Sequence, residues 1–161
     1  DQKCEALYEE DLYFVRAYDP EIAKVEEIDL QSLEDYPIGS SPGRYSLRRT
    51  LDKYAAEHGI KFNFVVDFRS ASASIKITEA GLICTVCPWD WIHDQVASKR
   101  LCAAKIVNPS MSRTACLIYS LGGKPVPAFD ATVGAIKEAI SLAKSEGKLR
   151  GTLMEEQGKQ P

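Results

Sequence analysis

VVDFRSASASIKITEAGLICTVCPWDWIHDQVASKRLCAAKIVNPSMSRTACLIY, residues 65–119, alternates apolar runs with helix-starting and turn residues. Just before and into it, residues 62–68 form an apolar run bounded by polar residues, which predicts a strand. Serines follow that can start a helix, and Gly81 is placed to end it. A second apolar strand over residues 82–86 stops at Pro88, which cannot donate to a sheet ladder. A short helix over residues 89–96 then leads to strands near Leu101 and Leu117. Strand, helix, strand, helix, strand with short connections is the pattern of a parallel α/β sheet.

Nearer the N-terminus, residues 6–17 read as a strand whose second half, Leu12 to Val15, is apolar. Residues 19–27 are a polar, charged connection, residues 30–35 a helical turn and residues 36–39 a short strand. Ser40-Ser41-Pro42-Gly43 is turn chemistry that also serves as a helix start, with Ser41 as N-cap and Pro42 at the first helical position. The helix that follows would bury Leu47, Leu51, Tyr54, Ala55 and His58 on one face, with Gly59 closing it. Residues 128–148 form a long amphipathic helix with Phe129, Val133, Ile136, Ile140 and Ala143 as its apolar stripe. Residues 151–161 are polar and lack periodicity, which predicts a disordered tail.

The chain has 161 residues, enough for one substantial core. A net charge of -3 gives no basic surface for DNA or anionic lipid. No apolar run reaches the length of a membrane span and no charged-then-apolar leader opens the chain. It begins at Asp1 without Met, as a trimmed or processed fragment would. Five cysteines at irregular spacing fit a reducing cytoplasm better than a disulfide framework.

Cys84-Thr85-Val86-Cys87 is the one motif that competes as catalytic. Thiol oxidoreductases set a C-x-x-C at a helix N-terminus, which lowers the thiol pKa. Here it lies inside an apolar strand, where residues three apart face opposite ways. Small buried packing residues are the expected outcome. Cys102, Cys116, His58 and His93 show no paired spacing that would complete a zinc site, so no metal and no cofactor are expected. Neither histidine has a Ser or Cys partner in a recognisable motif, and glycine-rich phosphate signatures are missing, so no catalytic residue is expected.

Two loops invite a ligand. The segment SSPGRYS, residues 40–46, combines hydroxyls, a helix N-terminus and Arg44, a set that favours a carboxylate. The same residues also fit helix capping alone. The turn Arg69-Ser70-Ala71-Ser72 lies at the carboxyl end of a strand, where open α/β sheets bind ligands. There Ser70 or Ser72 would donate to an anion or cap the next helix. Pro88 follows the next strand at the same sheet edge, whereas Trp89 and Trp91 read as packing residues.

Glu79-Ala80-Gly81-Leu82, then Pro88, Val107-Asn108-Pro109 and Arg113 occur in the order and spacing of a known pattern. In these features the chain resembles the effector-binding domain of LysR-type transcriptional regulators, over nearly its whole length. The resemblance implies a periplasmic-binding-protein-like α/β fold of two lobes, the second complete and the first only partly present. It implies a lobe-one end and first crossover strand in 1–15, lobe two in 16–115, a second crossover strand and lobe-one helix in 116–148, and the tail in 149–161. It implies a cytoplasmic homodimer or homotetramer that touches no membrane. DNA would be contacted only through a winged helix-turn-helix absent from this chain. It implies, further, that a small, anionic effector binds between the lobes. The loop Ser40, Ser41, Arg44 and Tyr45 would face that effector, with Ser70, Ser72 and Pro88 opposite. A solute-binding protein of related fold and a thiol oxidoreductase using Cys84 and Cys87 are the alternatives.

Overall fold

The computed structural model describes residues 2–120 and 128–154. The chain divides into two compact units, Asp11–Arg113 and Asp1–Glu10 with Thr114–Pro161. The element order is β1 (Gln2–Ala17), β2 (Glu27–Asp29), β3 (Pro37–Ser40), α1 (Ser46–His58), β4 (Asn63–Asp67), α2 (Ala71–Glu79), β5 (Cys84–Pro88), α3 (His93–Ala97), β6 (Leu101–Val107), β7 (Ser112–Ser120), α4 (Phe129–Ser145) and β8 (Gly151–Leu153). The expected helical turn is a 3-10 helix over Leu30–Asp35, and Gly59 ends α1 with φ 69°.

In the larger unit the sheet runs β2-β6-β1-β5-β3-β4. β3 pairs in parallel with both β4 and β5, and β2 with β6. β1 is antiparallel to β5 and to β6, so the sheet is mixed rather than wholly parallel. The strand–helix–strand units read from the sequence are parallel as right-handed crossovers require. β1 is not the product of such a unit, and nothing in that rule governs its direction.

The Leu12–Val15 run is apolar at every position because this stretch of β1 is covered on both faces. Leu12 and Phe14 enter one cluster with Leu30, Leu33, Ile38, Leu51, Val86 and Ile106. Tyr13 and Val15 enter the other with Ile75, Trp89, Ile92 and Leu101. β5 obeys the same alternation, so Cys84 joins the first cluster and Cys87 the second. Both cysteines are buried and neither is in a disulfide. Burial pushes the Cys84 thiol above its ordinary pKa, against the opposing pull of Arg16.

Several expected boundaries shift. β5 begins at Cys84, leaving Leu82 67% exposed on the turn after Gly81. The run read over residues 62–68 shrinks to β4, an edge strand with Val65 and Val66 facing solvent. His58 is exposed rather than on the buried side of α1, its ring stacked at 6.1 Å from Tyr54.

In the smaller unit, β7 and β8 each pair with β1. Residues 151–153 are therefore a strand, opposite Tyr8–Glu10, and not part of a disordered tail. A side chain at Gly151 would collide with the Glu9 carbonyl, so only glycine admits this approach. Residues 155–161 lie outside the described residues. α4 has no fully buried residue; Phe129 meets the Tyr119 ring edge-on at 4.9 Å and Lys137 pairs with Glu5 at 2.7 Å. Cys4 and Cys116 are exposed and share a thiol hydrogen bond, which raises the Cys116 pKa.

Local stability follows buried contacts, so amide exchange should rank these elements. We expect the slowest exchange in residues 12–15 and 84–87 and faster exchange in β4 and α4. Residues 133–140 exchanging as slowly as residues 84–87 in a dilute monomer would contradict this burial pattern.

Candidate functional site

A cleft of about 280 Å³ opens at the carboxyl ends of β3, β4 and β5. This is close to the lower end of the roughly 300–1,000 Å³ usual for small-molecule sites. β3 delivers Ser40, and the following loop delivers Ser41 and Tyr45. The exit of β4 adds Phe68, Arg69 and Ser70, and β5 adds Thr85 and Val86. α1 and α2 add Ser46, Leu47, Ala71 and Ser74, and Trp91 and Arg113 close the far side, the guanidinium standing 5.8 Å from the centre of the Trp91 ring.

The loop after β3 does not start the helix where its composition suggests. Tyr45 N–H donates to the Pro42 carbonyl at 2.9 Å, closing a turn over Pro42–Tyr45. α1 opens only at Ser46, with Tyr45 in the N-cap position and no side-chain cap bond. The expected Ser41 cap and Pro42 helix start are thus replaced by a separate turn ahead of the helix. The consequence is chemical. Freed from capping, Ser41 Oγ is buried with no hydrogen-bond partner, and Ser40 Oγ beside it is in the same condition. Buried hydroxyls are nearly always bonded, to protein or to water, so this adjacent pair is the least satisfied polar spot of the cleft.

The opposite wall is better satisfied. Ser70 is the N-cap of α2 and accepts from the Ala73 N–H at 3.4 Å, and its hydroxyl lies 2.9 Å from that of Ser72. On the floor, Thr85 Oγ1 donates to the Gly39 carbonyl at 3.1 Å and accepts from Ser74 Oγ at 3.3 Å. The Phe68 N–H donates to the Ser40 carbonyl at 2.7 Å, tying the exits of β3 and β4 together. Arg48 clamps α1 to β4: it bonds Asp52 at 2.9 Å and Asp67 at 3.2 Å, its guanidinium 3.6 Å from the Phe64 ring centre.

Among the residues anticipated from sequence, Ser40, Ser41, Tyr45 and Ser70 line the cleft. Arg44, Ser72 and Pro88 do not. Arg44 is exposed with its guanidinium 5.3 Å over the Tyr45 ring, Ser72 borders a neighbouring bay with Lys76 and Glu79, and Pro88 is buried opposite Leu12. Sequence reasoning did not nominate Phe68, Thr85, Trp91 or Arg113. The available signal for Thr85 was the one hydroxyl in a five-residue strand that is buried throughout. Among the described residues no group of three or more His, Cys, Asp or Glu could hold a metal, and no helix is long and apolar enough to cross a membrane.

Residues 1–141 match the LysR substrate binding domain family. No curated protein matches the chain by sequence. Among solved structures, a C206 mutant of OxyR from Corynebacterium glutamicum is 24% identical over 91% of this chain and 47% of its own, with a TM-score of 0.69. The effector-binding domain of QuiR in complex with shikimate is 20% identical over 93% of this chain and 68% of its own, with a TM-score of 0.70. The regulatory domain of Synechocystis PCC6803 CcmR, in complex with 2-PG, is 16% identical over 87% and 67%, with a TM-score of 0.69. The chain thus spans about half the length of the first of these proteins. With that match over residues 1–141 and the periplasmic-binding-protein-like α/β fold of these neighbours, the chain belongs to the LysR substrate-binding-domain family of transcriptional regulators.

Proposed function

We propose that this chain senses a small carboxylate-bearing metabolite in the cleft at the ends of β3, β4 and β5. The observation that carries the reading is the pair of buried, unpartnered hydroxyls of Ser40 and Ser41. A carboxylate supplies acceptors for both, and the α1 and α2 N-termini with Arg69 and Arg113 supply a favourable field. Arg44 would act from outside the lining by charge, Ser72 through its 2.9 Å contact with the Ser70 hydroxyl, and Pro88 only by ending β5. The shikimate held by one neighbour of this fold is itself a carboxylate.

Occupancy would then bias a conformational equilibrium read out by a DNA-binding part outside this chain, in a cytoplasmic homo-oligomer. A neighbouring regulator, CbnR, is described in complex with its target DNA. Binding without catalysis is the better reading of the thiols, because Cys84 and Cys87 enter different core clusters.

Calorimetric titration of a panel of small carboxylates, shikimate included, tests this. A hydrogen bond to a charged group contributes about 1.5–3 kcal/mol, so Ser40→Ala with Ser41→Ala should weaken the best binder by on the order of tenfold or more. A double variant that binds as tightly as the parent would remove both hydroxyls from the site.

A further inference from the structure

A second cavity, of about 130 Å³, opens at the amino ends of β3 and β6. The carboxyl-end cleft lies at the other end of the strands and shares no lining residue with it. Phe14, Ile28, Tyr36 and Val25 make most of its wall apolar, and the Phe14 and Tyr36 rings pack at 4.7 Å between centroids. Val25 is 48% exposed there, a large apolar side chain with one face uncovered.

The one charged residue in this wall is Arg16. Its guanidinium lies 5.8 Å from the centre of the Tyr36 ring, and among the described residues no carboxylate pairs with it. Arginines that serve structure elsewhere in this unit are paired: Arg48 with Asp52 and Asp67, and Arg100 with Glu79 at 3.1 Å. A guanidinium half-buried against apolar groups keeps a rigid fork of donors matched to a carboxylate. An apolar cavity of roughly 150 Å³ holds one benzene ring, so the available space suits a body of that size.

We propose that this cavity is a second small-molecule site, for a monocarboxylate with a compact apolar body. The carboxylate pairs with Arg16 while the body lies against Phe14, Tyr36 and Val25. The carboxyl-end cleft differs in adding the hydroxyls of Ser40, Ser41, Ser70 and Thr85 to its apolar lining, whereas this cavity offers one guanidinium and no side-chain hydroxyl other than that of Tyr36.

Two-dimensional amide NMR with phenylacetate as the probe tests the assignment on the intact chain. Saturable shifts are expected at Arg16, Val25, Ile28, Tyr36 and Ala103. Phenylacetamide, with the same body and no charge, should bind at least about tenfold more weakly, the loss that follows from one charge-assisted bond. Arg16→Gln should reduce phenylacetate affinity by a similar factor, and Arg16→Lys, which keeps the charge but not the fork, should fall between Arg16→Gln and the parent. The comparison of acid with amide needs no variant, so it stands even where a substitution unfolds the chain. Absence of saturable shifts at the cavity overturns the proposal. So does equal binding of the amide, unchanged affinity in Arg16→Gln, or shifts centred on Ser40 and Ser70 instead.

Discussion

Leu12→Ala should lower the unfolding free energy by about 2–5 kcal/mol, the range for emptying a fully buried leucine site. Leu12 has no exposed surface, lies on the central strand of the larger unit and donates its N–H to the Met111 carbonyl at 2.8 Å. The strand cannot move to fill the space, because β5 holds it on one side and β6 on the other. Leu82→Ala in the same unit supplies the contrast. At 67% exposure its loss should change stability by no more than about 0.5 kcal/mol. Urea titrations of the two variants read both values. Equal losses would mean that Leu82 is a core residue and that the start of β5 is misplaced.

Gly39→Ala should cost about 1–3 kcal/mol through overpacking and also weaken ligand binding in the cleft. An added Cβ would collide with the end of the Ile83 side chain and lie 2.8 Å from the Phe68 ring. Ile83 has rotamers to give way, but Phe68 lines the cleft, and its displacement narrows the space beside Ser40. β3 is paired with β4 on one side and β5 on the other, which limits how far its backbone can shift to absorb the change. Stability and affinity should therefore fall together. A variant with parental affinity and lowered stability would detach Phe68 from the site.

Local chemistry was the most legible part of the sequence. Gly59 ends α1 and Ser70 caps α2, because each rests on a preference acting within a few residues. What depended on partners distant in the chain was harder to read. The run FNFVVDF has the composition of a central strand, yet β4 is at the sheet edge, and only pairing partners distinguish the two. The tail composition concealed β8, whose one requirement is a glycine that can approach the Glu9 carbonyl. In the cleft, the loop serines were visible as hydroxyl chemistry near a helix start. Arg113 reaches the cleft only through the tertiary fold, and no local pattern marks it as a lining residue.

The unpartnered hydroxyls of Ser40 and Ser41 also bear on how such a chain evolves. Each buried hydroxyl without a partner makes the free protein less stable than alanine would at the same place. Selection for stability alone would therefore erase both serines, and a descendant released from sensing should drift toward Ala, Cys or Val there. On the proposed reading of the cleft, serine at both positions answers a demand from the ligand rather than from the fold.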